Sequence, residues 1–203
     1  PNHYGKGLAK AMLEHIVAFQ EEQGLPLRLV SSLMNLESFA LYTKAGFVPR
    51  LAYQDFLLAV PEGGLGATVD GLDRVRDATL DDVEGMAELE LEVAGISRRK
   101  DYRYFIENEY GHWHTAVYED ARGRLQGYLG AIGHPLFLEL GPGVARDEQS
   151  AAALLVSELD RHRGRVVYFL VPVESTELVR LLYGLGARVV EILKQPQYRP
   201  MAV

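Results

Sequence analysis

Segments with hydrophobic residues at helical spacing alternate along the chain with segments at strand spacing, and the order of these segments predicts the fold class. A first helix is predicted over residues 7–23, ending at Gly24, because apolar side chains recur there every three or four residues: Leu8, Met12, Ile16 and Phe19. The elements predicted next are a strand, a helix and two strands, over residues 27–31, 36–45, 47–49 and 53–60.

The pattern starts again near Asp73. Thr79, followed three residues later by Asp82, predicts a capped start for a helix over 80–94. The other predicted helices cover residues 101–110, 148–163 and 175–183. The predicted strands cover 75–77, 113–119, 125–132, 137–140, 165–171 and 188–193, with a hairpin turn at Arg122-Gly123.

The last four of these elements repeat the order helix, strand, helix, strand of residues 7–60. Gly46 and Gly186 follow the second helix of each copy. The glycine-rich residues 61–72 lie between the copies and are the predicted linker. We therefore predict two α/β units with mixed sheets, a first domain at 1–60, a linker at 61–72 and a second domain at 73–203.

Two glycines run directly into the first predicted helix, in the stretch Tyr4-Gly5-Lys6-Gly7-Leu8-Ala9. Glycines let successive backbone N–H groups turn toward one point, and the unpaired N–H groups of a helix start carry partial positive charge. A phosphate or pyrophosphate fits such a start, and the alternative is an ordinary loop-to-helix turn. The Walker and dinucleotide patterns are excluded, because Lys6 precedes Gly7 and position 10 is lysine.

The stretch from Tyr4 to Phe47 resembles the acyl-CoA-binding half of the GNAT superfamily of N-acetyltransferases. Gly7 and Ala9 match the pattern Arg/Gln-x-x-Gly-x-Gly/Ala, with Tyr4 in place of Arg or Gln. The pattern Asn-x-x-Ala-x-x-Leu-Tyr-x-x-x-Gly-Phe is matched, with Ser38 for the alanine, by Asn35, Leu41, Tyr42, Gly46 and Phe47.

The resemblance implies a GNAT-like fold, acetyl-CoA as co-substrate, no metal, and an amine that attacks the thioester directly. It implies that Tyr42 protonates the leaving thiolate and that Asn35 contacts the cofactor. The implied pyrophosphate cradle is Tyr4, Gly5, Lys6, Gly7, Leu8 and Ala9. The alternatives are a packed helix tyrosine at Tyr42 and a helix N-cap at Asn35.

The second unit resembles the carboxy-terminal domains of tandem bacterial GNAT proteins, in a degenerate form. Aligning Ala9 with Ala151 replaces the glycines and lysine of the first cradle with Asp147, Glu148 and Gln149. Carboxylates repel phosphate, so we expect no pyrophosphate there. Leu182, Ser175 and Ala187 stand where Tyr42, Asn35 and Phe47 would be. The first unit lacks the family's earlier elements, which predicts a truncated half that cannot close a core alone.

Composition limits the setting and the partners. With 48% hydrophobic residues, the 203-residue chain can bury one or two ordinary cores. A net charge of -7 argues against nucleic-acid and membrane partners. The absence of cysteine excludes disulfides, thiolate metal sites and a cysteine nucleophile. No signal peptide or membrane-length apolar run is recognised, so a bacterial, cytoplasmic protein is predicted.

Two further clusters carry candidate chemistry. His112 and His114 have a spacing that some metal sites use, but no partner carboxylate is identifiable in sequence, and a surface position or packing in the hairpin is favoured. Arg98-Arg99-Lys100 offers charge to an anionic substrate, although a solvated helix edge is the commoner meaning of such a run. The nearby aromatic residues, Tyr102, Tyr104, Phe105 and Tyr110, line a cleft or pack together.

Two functions follow from these patterns. The first is an acetyl-CoA-dependent N-acetyltransferase that acts on an unidentified small-molecule or peptide amine. No general base is assignable, and whether these 203 residues are active by themselves is left open. The alternative is a non-catalytic GNAT-like binding or interaction module. A homodimer, in which residues 1–60 pair with a second copy, is a third hypothesis about assembly.

Overall fold

The computed structural model describes residues 5–24 and 26–198, the last eight of these as backbone. Contacts divide the chain into two compact units. The first consists of the residues up to Gln54 together with those from Glu191 onward, and the second is Asp55–Val190. The carboxy-terminal segment therefore groups with the amino-terminal one, which the predicted domains at 1–60 and 73–203 did not anticipate.

The first unit contains the helix–strand–helix–strand order that the hydrophobic pattern predicts. Its elements are α1 (Leu8–Gln23), β1 (Ser31–Ser32), α2 (Leu36–Lys44) and the start of β2 (Phe47–Ala59), which continues into the second unit. Gly24 ends α1 as predicted, with a φ of 63°. The strand predicted at 27–31 is only two residues long, and the two strands predicted at 47–49 and 53–60 are one continuous strand.

The predicted apolar stripe of α1 is exposed rather than buried. Leu13 is the buried residue of this helix. The four stripe residues are between 45% and 66% exposed: Leu8, Met12, Ile16 and Phe19. Helical periodicity shows that one face is apolar, but it does not show what covers that face.

The second unit carries the remaining elements in the predicted order. They are β3 (Val75–Asp77), α3 (Val83–Ala94), α4 (Arg99–Glu107), β4 (Trp113–Glu119), β5 (Leu125–His134), β6 (Phe137–Ala145), α5 (Glu148–Arg161), β7 (Val166–Pro172), α6 (Thr176–Gly184) and β8 (Arg188–Tyr198), which ends in the first unit. The capping box of Thr79 and Asp82 is present, on a short 3₁₀ turn before α3. Among the described residues, no helix is long and apolar enough to cross a lipid bilayer.

The strands of the second unit form a mixed sheet in the order β2–β7–β6–β5–β4–β3. The ladders from β3 to β6 are antiparallel, whereas β6 and β7 are parallel. Their register contains two residue pairs, Glu139 with Tyr168 and Leu140 with Phe169. Beyond these pairs β6 continues to Ala145 along β5, while β7 runs to Pro172. The centre of this sheet is therefore splayed between β6 and β7.

Side chains alternate across this sheet and build a core on each face. On one face α5 and α6 pack on residues that include Ala116, Leu129 and Phe169. On the opposite face α3 and α4 pack on Val117 and Tyr128. Because neighbouring strand residues point to opposite faces, residues 116 and 117 enter different cores.

The residues predicted to be a linker, 61–72, belong to the second unit and pack on its other residues. The backbone N–H of Leu65 donates to Oδ1 of Asp160 at 2.8 Å. Gly71 has a φ of 83°, and a Cβ placed there would lie 2.4 Å from the hydroxyl oxygen of Tyr118. Glycine is therefore required at position 71 by both backbone conformation and space. A high glycine content here reflects close packing as well as turning.

This packing gives a direct test of the fold. Gly71→Ala should lower the free energy of unfolding by about 2–4 kcal/mol, because it combines a left-handed backbone with a clash against the buried Tyr118. Gly63→Ala is the matched control, since a Cβ placed on Gly63 meets none of the described atoms within 4 Å. Its effect should stay within about 0.5 kcal/mol. Urea unfolding of both variants measures the difference, and equal effects would contradict the packing of this segment.

Candidate functional site

The start of α1 has the geometry of an open anion site. Gly5 and Gly7 both adopt left-handed backbone conformations, with φ of 73° and 77°. Gly7 is the N-cap, no described side chain caps the helix, and the first turn holds no acidic residue. A Cβ placed on either glycine would meet none of the described atoms within 4 Å. Within the described part of the chain, this helix start is therefore neither capped by a side chain nor opposed by a carboxylate of its first turn.

The other predicted cradle residues surround this start. Lys6, Leu8 and Ala9 are exposed, and Tyr4 lies outside the described residues. An exposed lysine beside the N–H groups of a helix start adds a full positive charge to their partial charges. Whether these residues bind a pyrophosphate stays a prediction.

Asn35 is the N-cap of α2. Its Oδ1 accepts a hydrogen bond from the backbone N–H of Ser38 at 3.0 Å. The alternative that the sequence offered for Asn35, a helix cap, is therefore observed. The cap uses the amide oxygen and not the amide N–H₂ group. Asn35 also lines a shallow depression of about 550 Å³ with Ser32, Met34 and the first two residues of α2.

Tyr42 lies on α2, one turn before Gly46. Its side chain is partly buried, and its ring centre is 6.0 Å from that of Phe47. This contact is the packing that the sequence offered as the alternative for a helix tyrosine. A packed tyrosine can still donate a proton through its phenol. The catalytic role of Tyr42 therefore stays a prediction.

The corresponding helix start in the second unit is occupied by the protein's own carboxylates. Asp147 caps α5, accepting from the backbone N–H of Ser150 at 2.7 Å. Glu148 accepts from the backbone N–H of Leu178, in the first turn of α6, at 2.8 Å. Leu178 stands three residues after Ser175, as Ser38 does after Asn35. Glu148 thus performs for α6 the capping that Asn35 performs for α2.

A cleft of about 300 Å³ opens where β6 and β7 separate. Its walls are mostly apolar, and its polar end carries Arg146, Asp147 and Glu148. Arg146 is paired with Glu92 through a bidentate contact, one arm of which is 2.7 Å long. Because the arginine is paired and both carboxylates remain, this end of the cleft is unfavourable for a pyrophosphate.

A buried polar network reaches the cleft through Tyr128, which forms part of its lining. Glu90 is 1% exposed and accepts from Arg98 at 2.5 and 3.1 Å and from the hydroxyl of Tyr102. Arg98 also donates to the Tyr128 hydroxyl at 3.3 Å. Burial, followed by the charge of Glu90, raises the pKa of Tyr128, so this phenol stays protonated near neutral pH.

This network corrects the prediction for the Arg98-Arg99-Lys100 run. Arg98 belongs to the buried pair with Glu90, whereas Arg99 forms an exposed ion pair with Glu84 at 2.8 Å. Three of the neighbouring aromatic residues, Tyr102, Tyr104 and Phe105, make ring contacts, which is one of the two predicted alternatives, whereas Tyr110 is exposed. Phe105 stacks on Trp113 with a 4.1 Å ring separation, and Tyr102 is fully buried.

His114 has the carboxylate partners that the sequence did not reveal. Its Nδ1 lies 2.6 Å from Glu158 and its Nε2 lies 3.0 Å from Asp77. His162 contacts the other oxygen of Glu158 at 2.9 Å. Acceptors on both ring nitrogens require two N–H donors, which indicates a charged imidazolium. The ring of His112 instead packs on His134.

Part of this cluster was recognisable in the sequence. Glu158 and His162 are four residues apart on α5, the spacing of a helix-face pair. His114 and Glu158 are 44 residues apart, and only the fold brings them together. Among residues 5–24 and 26–190, no group of three or more histidine, aspartate or glutamate side chains is arranged to hold a metal ion.

Comparisons with known proteins agree with this architecture. A family model described as an acetyltransferase (GNAT) domain matches residues 86–194, more than half of the chain. A GCN5-related N-acetyltransferase from Sphaerobacter thermophilus superposes with a TM-score of 0.61 at 18% identity, covering 98% of this chain and 71% of that one. No curated protein matches the chain.

Two other solved structures show the same fold. A Pyrococcus horikoshii protein assigned to the acetyltransferases gives a TM-score of 0.70 at 14% identity, covering 98% of this chain and 62% of that one. A tandem GNAT protein from the clavulanic acid biosynthesis pathway gives 0.59 at 19% identity, covering 100% and 73%. The chain therefore spans 62–73% of the lengths of these three structures.

The class of protein follows from the sheet and its cleft. The fold is mixed α/β, with a mostly antiparallel sheet that opens between two parallel strands, as in acyl-CoA N-acyltransferases. The family is given by the match to residues 86–194. The chain belongs to the GNAT acetyltransferase domain family. Most of the matched range lies in the second unit.

The cluster of His114 and Glu158 predicts how stability depends on pH. Burial disfavours the charged forms of both groups, but the hydrogen bonds of the cluster have the larger effect. These hydrogen bonds raise the pKa of His114 and lower the pKa of Glu158 to about 2. The histidine stabilises the fold below about pH 6.5 and loses that contribution as pH rises through its raised pKa. The glutamate stabilises it above about pH 4.5 and loses up to about 3 kcal/mol as pH falls toward 2.

Urea unfolding across pH 3–9 measures this profile. The free energy of unfolding should be largest between about pH 4.5 and 6.5 and should fall on both sides. His114→Gln should flatten the alkaline side of the profile, while Glu109→Gln, an exposed carboxamide substitution in the same unit, should leave it unchanged. An alkaline limb that is identical in the wild type and in His114→Gln would contradict the assignment.

Proposed function

We propose that the protein is an acetyl-CoA-dependent N-acetyltransferase whose donor pyrophosphate binds the loop Tyr4–Ala9 at the start of α1. The observation that supports this proposal is the contrast between two helix starts. Among the described residues, the start of α1 has two left-handed glycines and no side-chain cap, whereas the start of α5 holds Asp147 and Glu148. A pyrophosphate favours the first start and is repelled at the second.

The proposed chemistry is direct transfer. The lone pair of the acceptor nitrogen attacks the thioester carbonyl carbon, the carbon–sulfur bond breaks, and the electron pair goes to sulfur. The Tyr42 phenol gives its proton to the thiolate, and the acceptor ammonium loses one proton to a base that is not assigned. The N–H groups of α1, with Lys6, hold the pyrophosphate and so position the thioester.

The acceptor is proposed to be a small-molecule or peptide amine. The net charge of -7 favours a cationic acceptor over an anionic one. A tandem arrangement, a cytoplasmic setting and a homodimer belong to the same proposal. Light scattering during size-exclusion chromatography tests the homodimer, and a strict monomer would contradict it.

The donor site is tested by adding charge to it. Gly7→Glu should weaken acetyl-CoA binding about ten- to a hundredfold, because a carboxylate within a few ångströms of a phosphate costs about 1–4 kcal/mol. Isothermal titration calorimetry on the 203-residue chain measures the dissociation constant. Thermal unfolding of each variant shows that the loss is not due to unfolding.

Two controls make this test specific. Gly7→Ala shares the backbone strain at a φ of 77° but adds no charge, so it should weaken binding less than Gly7→Glu. Gln149→Glu adds the same charge at the aligned position of α5 and should leave acetyl-CoA affinity unchanged. An unchanged affinity in Gly7→Glu, or a loss in Gln149→Glu, would contradict the proposed location of the donor.

The role of Tyr42 has its own prediction. Tyr42→Phe keeps the ring that packs on Phe47 and removes only the hydroxyl, so acetyl-CoA affinity should change by less than about twofold. The turnover number should fall about 10²–10⁴-fold, as expected for loss of a general acid. Release of the CoA thiol with a panel of primary amines measures the rate, and an unchanged turnover number would remove Tyr42 from the mechanism.

The second candidate is a non-catalytic GNAT-like binding module. It is favoured by one observation: the unit that contains most of the family match carries carboxylates at the α5 start, where phosphate is repelled. It predicts no acetyl-CoA binding by the wild-type chain. The titration above therefore separates the two candidates, because only the enzyme hypothesis predicts binding that depends on Gly7.

A further inference from the structure

Residues 61–77 of the second unit are attached to α5 at two points. At the first, the backbone N–H of Leu65 donates to Asp160 of α5 at 2.8 Å. At the second, Asp77 at the end of β3 lies 3.0 Å from Nε2 of His114 on β4, and Nδ1 of the same ring lies 2.6 Å from Glu158 of α5. The second attachment therefore runs from β3 through a histidine ring to the helix.

The second attachment depends on the proton of His114. Both ring nitrogens face carboxylate oxygens, which accept hydrogen bonds but cannot donate them. A neutral imidazole has one N–H, so only the protonated ring donates to Glu158 and to Asp77 at the same time. After loss of a proton, one nitrogen would direct a lone pair at a carboxylate. One of the two contacts must then open.

Burial decides which contact opens. The side chain of Glu158 is 1% exposed, and removing the donor of a buried carboxylate leaves an uncompensated charge in the core. The side chain of Asp77 is 72% exposed, so water can solvate this carboxylate when its partner is lost. The remaining N–H of a neutral His114 therefore stays on Nδ1, with Glu158, and the contact with Asp77 is the one that is lost.

The other charged neighbours of the ring do not replace this contact. On β5, Ala131 is in register with His114 and adds no charge. On β3, Arg76 is next to Asp77 in sequence, but it donates to two other carboxylates. On α5, Arg161 lies 3.6 Å from Asp77, and its charge disfavours protonation of His114. An exposed ion pair of this kind contributes little to stability.

The two attachments respond differently to pH. Burial lowers the pKa of His114, but the hydrogen bond and charge of Glu158, followed by the hydrogen bond of Asp77, outweigh burial and raise this pKa above its ordinary value of about 6.5. The second attachment is thus present at acidic pH and is lost as pH rises through the raised pKa. Hydrogen bonds from Arg163 and Leu65 lower the pKa of Asp160, so the first attachment stays charged from pH 6 to 9.

We propose that the protonated ring of His114 is a pH-sensitive clamp that holds the end of β3 to α5 and releases it when the ring becomes neutral. The release is local: it concerns residues 75–78, while the attachment at Leu65 stays closed. Loss of the contact at Asp77 makes this end of the three-residue strand β3 separate more often from β4. The clamp thus controls the segment that leads into α3.

Two backbone amides of this segment report on the two attachments. The N–H of Ala78, next to Asp77, donates to the carbonyl of Thr115 on β4 at 2.8 Å, and the N–H of Leu65 donates to Asp160. NMR measures their hydrogen exchange at pH 6 and pH 9, and dividing by the intrinsic rate at each pH gives a protection factor. From pH 6 to pH 9, the protection factor of Ala78 should fall about threefold or more, and that of Leu65 should fall less than that.

Two variants remove the pH response by different routes. Asp77→Asn replaces the carboxylate with an amide that can donate to Nε2 of a neutral ring, so the contact no longer needs the extra proton. His114→Gln removes the titrating ring itself. In both variants the protection factor of Ala78 should change by less than about threefold between pH 6 and pH 9. Asp73→Asn is the matched control, since it removes an exposed carboxylate of the same segment and should keep the full response.

Three results would overturn the proposal. The first is a smaller fall at Ala78 in the wild type, and the second is an equal fall at Leu65, which would indicate opening of the whole segment. The third is a full response at Ala78 in Asp77→Asn. If His114→Gln does not fold, Asp77→Asn decides the outcome, because Asp77 is on the surface. The experiment contains no acetyl-CoA, so its outcome is independent of the proposed function.

Discussion

The first turn of an α-helix leaves backbone N–H groups without partners, and the way each unit supplies those partners separates the two units of this protein. In α1, two left-handed glycines turn the backbone, and no described side chain caps the helix. In α5, Asp147 caps the same position and Glu148 extends to α6. The N–H groups at the start of α5 therefore have carboxylate partners within the protein, whereas no described side chain provides a cap at the start of α1.

This difference affects more than phosphate binding. Because Glu148 caps α6, a carboxylate at the end of the cleft links α5 to α6, in addition to the core that the two helices share. The cleft itself exists because β6 and β7 pair over a short register and then follow different neighbours. A cleft with apolar walls and acidic borders is suited to uncharged or cationic groups, and it disfavours the phosphates of CoA.

Local features of the fold were predictable from the sequence, whereas long-range features were not. The order of elements, the capping box at Thr79 and the helix end at Gly24 depend on neighbouring residues, and all three are confirmed. The apolar stripe of α1 was predictable from periodicity, but its exposure was not, because periodicity does not reveal what covers an apolar face. The same limit applies to the site. The cap at Asn35 is a local pattern, whereas His114 and Glu158 are 44 residues apart and meet only in the fold.

The central claim is that acetyl-CoA binds the start of α1 and not the start of α5. Amide hydrogen exchange with and without acetyl-CoA tests this claim directly, since a bound pyrophosphate accepts hydrogen bonds from the N–H groups that it covers. The account predicts slower exchange over residues 7–10 and no change over residues 148–151. Slower exchange over residues 148–151, with none over residues 7–10, would contradict it.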